Sequence, residues 1–222
     1  MNVPATHYHR ASRIDSATRW LAALFALFGL LALLAHSAAA ATIEMSLASR
    51  DGAIEIDGTA ELDADAQTAW DVLTDYECYV DFIPDLRDSR VVARSGATVT
   101  VEQIGDVTVG PLHRPLDVTF EITEMAPTLL FSRVVAGDLR ALSSRYELIP
   151  LGNRVRIQYA GTLDSGIAAS DPIERFAVKQ NITGRFQALV DEIERRSAAC
   201  RSQSGPGRHR TAAAPCACRR LH

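Results

Sequence analysis

Between Thr42 and Arg196 the chain has one histidine, His113. A histidine-based metal site needs two or more ligands in reach, and His113 alone cannot assemble one. A Ser–His–acid triad through it lacks anything to position a serine. No G-x-S-x-G, H-E-x-x-H, phosphate-binding loop or G-x-G-x-x-G pattern occurs. Cys216-Ala-Cys218 has metal-binding atoms but no ordered frame around it. These residues predict no catalytic group, no metal and no cofactor.

Other side chains suit binding better than bond-making. Most carboxylates alternate outward on strands or lie on helix backs, the pattern of a solvated face. Asp75, Asp81 and Asp85 surround one helical segment, where capping and turn formation weigh more than acid–base work. Arg140 and Arg145 are more suggestive. A guanidinium at a cavity mouth can hold a carboxylate or enolate oxygen through charge-assisted hydrogen bonds. By strand parity Arg140 points the same way as Leu142, Tyr146 and Leu148, which makes it the inward candidate. The alternative for both is a surface arginine. Phe120, Phe131, Tyr146, Tyr159 and Phe176, with Tyr76 and Phe82 from the helical segment, are candidate cavity walls. Plain core is the alternative for each. Tyrosine offers area and one hydrogen bond, which suits an amphipathic ligand.

These side chains must be held by a sheet and a few helices. Ile54, Ile56, Ala60 and Leu62 alternate with polar residues, so Thr42 to Asp63 reads as a first strand, bent at Gly58. Asp63 or Asp65 can cap the next helix. Trp70, Val72, Leu73 and Tyr76 give that helix an apolar face, which Tyr79, Phe82 and Ile83 continue as a second short helix before Pro84. Strands follow at 89–94, 98–103 with a continuation at 106–109, 116–123, 129–136, around 142–148, and 155–163. Asp171-Pro172 has the N-cap and first-turn signals of a long helix to about Arg196. Its apolar face carries Val178, Ile182, Phe186, Leu189, Val190 and Ile193. Gly184 sits in its middle, where glycine costs about 1 kcal/mol relative to alanine. Strands in succession with tight turns predict an antiparallel sheet, and the last helix is the only element large enough to cover it.

Residues 1–41 read as a signal peptide. Arg10, Arg13 and Arg19 form a basic start, Trp20 to Leu34 is apolar apart from Gly29, and Ala38 to Ala41 supply a cleavage site. The apolar run is shorter than the roughly 20 residues of a spanning helix. An uncleaved anchor is the alternative. The expectation is export, to the periplasm in a Gram-negative cell, with cleavage near Ala40/Ala41. Of 23 basic residues, three lie in this leader and five after Arg196, whereas 26 of 27 acids lie between, so the body has a net charge of −11. Such a body is a poor nucleic-acid binder, because phosphate contacts need clustered Lys and Arg. Residues 197–222 read as a disordered basic tail. Contact with anionic lipid and a solvated appendage are its two readings. Cys78 reads as a small buried hydrophobe.

Trp70-Asp-Val-Leu-Thr-Asp-Tyr76, Phe82-Ile-Pro-Asp-Leu86 and Ser89-Arg-Val-Val92 together resemble the opening of START-like (SRPBCC) proteins, nearest the polyketide cyclase/dehydrase and coenzyme Q-binding group. Gly137-Asp-Leu-Arg140 and Arg145-Tyr-Glu-Leu148 resemble that group's late hairpin. The likeness covers roughly Ala53 to Arg196, and its motifs specify fold more than function. It implies an α+β helix-grip fold over 42–196, with two short helices after the first strand and a curved antiparallel sheet of about seven strands around a long C-terminal helix. It also implies an apolar cavity between sheet and helix, for a lipid, quinone or polyketide-like molecule. Tyr76, Tyr79 and Phe82 then become candidate gate residues. Fold alone leaves three functions open: an exported carrier of a hydrophobic ligand, an aromatase/cyclase, and a structural or interaction protein with a collapsed cavity. Export favours the carrier and stands against a respiratory quinone role.

Overall fold

The computed structural model describes residues 41–109, 112–164 and 172–203. Residues 1–40 and 204–222 lie outside them, as do the expected helix cap Asp171 and the side chain of His113. No helix among the described residues is long and apolar enough to cross a membrane.

The chain order is β1 (Thr42–Arg50), β2 (Ala53–Leu62), α1 (Ala66–Leu73), a 3₁₀ helix (Tyr76–Asp81), β3 (Leu86–Ser95), β4 (Thr98–Val109), β5 (Leu112–Met125), β6 (Leu129–Gly137), β7 (Ala141–Leu151), β8 (Arg154–Asp164) and α2 (Pro172–Gln203). The eight strands form one open antiparallel sheet in the order β1-β2-β8-β7-β6-β5-β4-β3. This is the expected helix grip with one strand more. The extra strand arises at Asp51-Gly52, where both residues have positive φ and fold Thr42–Leu62 into a hairpin rather than one bent strand. A two-residue turn of this kind needs positive φ at both positions, which Asp and Gly tolerate.

Side-chain parity sets the sheet's two faces. Ile54, Ile56, Val155, Ile157, Val99, Val101 and Leu148 are buried on the inner one. The outer face carries cross-strand ion pairs, among them Arg156 with Glu61 at 2.5 Å and Arg133 with Glu121 at 2.7 Å. Phe186, Leu189, Val190 and Ile193 of α2 are buried in the same core, with Val178 and Ile182 packed against it. Burial of side chains of this size favours the fold by about 1.5–3 kcal/mol each.

The two short helices form a lid at one end. Asp65 caps α1, accepting hydrogen bonds from the Thr68 backbone N–H and hydroxyl at 2.8 Å each. Asp85, with φ of 60°, turns the chain out of the lid, and its carbonyl accepts from the Asp106 N–H at 2.8 Å. The lid's other end is tied to α2. The buried Arg196 guanidinium donates to Asp75 at 2.8 Å and to Glu192 at 2.7 Å. Burial opposes the charge on Arg196, but its hydrogen bonds to Glu192 and Asp75 outweigh this and raise its pKa. Asp75 therefore does more than cap a turn. The helix also continues past Arg196 to Gln203, with Ser197 buried, so residues 197–203 are helix and not tail. Arg201 there donates to the Asp63 carbonyl at 2.7 Å. Cys78 is buried as expected, but it is disulfide-bonded.

Candidate functional site

A cavity of about 170 Å³ lies between the sheet, the lid and α2. Its walls are mostly apolar: Leu73 and Ile83 from the lid, Phe120, Ile122, Leu130 and Leu142 from the sheet, and Ile182, Phe186 and Leu189 from α2. Tyr76, Tyr79, Gln103, Ser132, Ser144, Tyr146, Tyr159 and Arg185 supply its polar atoms. Sheet residues reach it because inner-face positions recur every second residue, as Phe120/Ile122, Leu130/Ser132 and Leu142/Ser144/Tyr146 do. Helix residues reach it because Ile182, Arg185, Phe186 and Leu189 are spaced three and four apart on one face.

Most of the polar groups already have partners. The Tyr76 hydroxyl donates to Glu124 at 3.0 Å and that of Tyr79 to the Leu73 carbonyl at 2.7 Å. The Ser132 and Ser144 hydroxyls share a hydrogen bond of 2.7 Å. Burial pushes the Tyr159 phenol up to about 12, against the opposing effect of its hydrogen bond to Ser144. Burial also raises Tyr76, Tyr79 and Tyr146. All four phenols therefore stay protonated through the neutral range and act as hydroxyl dipoles. Tyr146 and Tyr159 pack with ring centroids 4.8 Å apart, and Phe186 stands 6.3 Å from Tyr159. Tyr159 lies along the sheet over Gly161, where a Cβ would sit 2.6 Å from the phenol oxygen. Glycine at 161 is what lets the ring lie flat and leaves the cavity open.

Arg185 is the one charged side chain among the described lining residues. Burial lowers its pKa, opposed by the nearby Tyr146 and Asp85. A guanidinium stays protonated despite such a shift.

The structure thus brings together four of the expected wall residues, Tyr76, Phe120, Tyr146 and Tyr159. Phe82 stands one step behind them, packed edge-on against Tyr79 at 5.5 Å. Three candidates lie elsewhere. Phe131 is on the outer face, because Leu130 and Ser132 take the inner positions of β6. Phe176 is exposed on the first turns of α2. Arg140 precedes β7 and so escapes its parity, and its exposed side chain sits 3.7 Å from Asp164. Arg145 is exposed beside Glu147 at 3.5 Å. The guanidinium expected at the cavity comes from Arg185 instead.

A second hollow of about 520 Å³ runs over the outer face, past Glu55, Glu121, Phe131, Arg133 and Arg145. It is the larger, but it is more open to solvent and most of its charges are paired, as Arg133 is with Glu121. The inner cavity, more sheltered and mostly apolar, is the better site.

The family described as "Polyketide cyclase / dehydrase and lipid transport" matches residues 62–190. The chain belongs to this family. That span starts at the end of β2 and runs through the lid, the sheet and the cavity-facing part of α2, so the polyketide cyclase/lipid transport domain contains the whole site. Solved structures of START-like proteins share the fold. The Zhui aromatase/cyclase from Streptomyces sp. R1128 is 17% identical, with a TM-score of 0.55, over 65% of this chain and 95% of its own. A START superfamily protein from Mycobacterium smegmatis is 16% identical, with a TM-score of 0.54, over 66% and 98%. A STAR-related lipid transfer protein from Xanthomonas axonopodis is 18% identical, with a TM-score of 0.52, over 67% and 98%. No curated protein matches the chain significantly.

Proposed function

We propose that this protein is an exported carrier that holds a small hydrophobic or amphipathic molecule between its sheet and α2, in the periplasm of a Gram-negative cell. The observation behind this is the partly enclosed cavity of about 170 Å³, apolar in its walls and polar at a few points. It is smaller than the roughly 300–1,000 Å³ usual for drug-sized ligands. It therefore suits a compact molecule with the lid closed, or a longer one once the lid shifts. The family's lipid-transport members and the lipid transfer protein from Xanthomonas axonopodis support a carrier role. The basic, apolar and alanine-rich leader supports export. Ile173 and Phe176, exposed at the start of α2, suit brief contact with a membrane during loading.

An aromatase/cyclase reading has one observation in its favour. Arg185 could stabilise an enolate oxygen formed inside the cavity. Cyclisation also needs a group to accept a proton, and no carboxylate or imidazole lines the cavity among the described residues. The carrier reading is therefore preferred. It is tested with a polarity-sensitive apolar fluorophore. The protein should take it up, and Leu142→Trp, which fills the cavity from the sheet side, should abolish uptake while the circular dichroism spectrum is retained. Uptake undiminished in that variant would place the ligand elsewhere.

A further inference from the structure

Two polar groups on the cavity wall have no partner of their own. Arg185 makes no ion pair or hydrogen bond with any described residue, and neither does the Tyr146 hydroxyl. Both side chains line the same cavity. Asp85 favours the charge on Arg185, but the two form no ion pair. The phenols of Tyr76 and Tyr79 are satisfied by Glu124 and the Leu73 carbonyl. Gln103 has only a long contact to Ser89, at 3.4 Å. Holding a half-buried guanidinium without an ion-pair partner beside Phe120, Ile182 and Phe186 is costly. A ligand that brings the charge removes that cost.

We infer that the ligand is a monoanionic amphiphile whose carboxylate is held by Arg185 and Tyr146, with its apolar body against Phe120, Ile122, Leu142 and Phe186. This rests on the carrier reading and narrows it to a class of molecule. A carboxylate fits for two reasons. Its two oxygens match the planar fork of a guanidinium and leave a lone pair for the phenol. Its single negative charge also balances the single positive charge on the wall. A phosphate monoester, with up to two charges, would be left half-neutralised in an apolar cavity.

The test measures displacement of the apolar fluorophore from the purified full-length protein at neutral pH. The competitors are alkyl carboxylates, alcohols and phosphates matched in length from hexyl to decyl. Carboxylates should bind about 10- to 100-fold more tightly than the matching alcohols, the range expected for charge-assisted hydrogen bonds. Arg185→Met should remove that preference and leave alcohol binding in place. Tyr146→Phe should weaken carboxylates by a smaller factor. If Arg185→Met loses alcohol binding as well, the cavity has collapsed and Arg185→Lys decides. A carboxylate preference kept by lysine supports the inference, and one lost with it overturns the inference. Equal affinity for carboxylate and alcohol in the wild type, a preference that survives Arg185→Met, or tighter binding of the alkyl phosphates would also overturn it. Failure of every amphiphile to displace the fluorophore would instead overturn the carrier reading beneath it.

Discussion

Replacing Arg196 by methionine cuts the tie between α2 and the lid. The guanidinium reaches Asp75 at 2.8 Å and Glu192 at 2.7 Å, and its side chain is 8% exposed. Methionine keeps much of the apolar stem and removes the charge. Breaking a buried pair typically costs about 3–5 kcal/mol. Two features lower the cost here. Glu192 keeps Arg195, at 2.6 and 2.7 Å. Asp75 is 28% exposed, so water replaces part of what it loses. The expected loss is about 2–3 kcal/mol, or about 4–12 °C in Tm for a chain of this size. Urea unfolding followed by circular dichroism measures it. Acid gives an independent check. Burial pushes the Glu192 carboxyl up, but hydrogen bonds from Arg195 and Arg196 outweigh it and hold its pKa below the ordinary 4.5. A carboxyl depressed by folding contributes stability above its unfolded pKa and loses it as pH falls through the folded value. The wild type should therefore lose stability below about pH 4.5, and the gap between wild type and Arg196→Met should narrow there. A loss under about 1 kcal/mol at pH 7, or a gap unchanged at pH 3, would refute the assignment of Arg196 as the lid's anchor.

Other substitutions test other parts of the site. Gly161→Ala places a methyl 2.6 Å from the Tyr159 oxygen and 3.1 Å from its ring, so the ring must move into the cavity. It should cost about 1–3 kcal/mol in urea unfolding and weaken fluorophore uptake. Gly184→Ala should do the opposite for stability. Its Cβ would rest 4.0 Å from Pro84, an ordinary contact, so the helix should gain about 1 kcal/mol in the same assay. Arg140→Ala should leave both ligand affinity and Tm unchanged, because the pair with Asp164 is exposed.

Much of this fold is legible in the residues. Alternation in β5 and β8 gives the inner face, and the Ile182–Ile193 stripe gives the covering helix. Asp51-Gly52 is also a readable hairpin signal, and overlooking it merges β1 with β2. The failures have physical causes. β6 is apolar on both faces, so parity could not tell Phe131 from Leu130. Arg140 lies in a bend, where strand parity does not apply. Arg185 looks like one more surface charge on a polar helix back. Its spacing from Ile182 and Leu189 was available as a signal that it shares their face. Arg196 and Ser197 are buried because α2 continues beyond its last aliphatic residue, and a pattern read from aliphatic residues alone stops too early.

Native mass spectrometry of the protein purified from its own cells, under conditions that keep non-covalent complexes, tests the central claim most directly. The account predicts a fraction of molecules carrying one apolar adduct, released on unfolding and recovered by organic extraction. Protein that carries no adduct and takes up no amphiphile when offered one would contradict it.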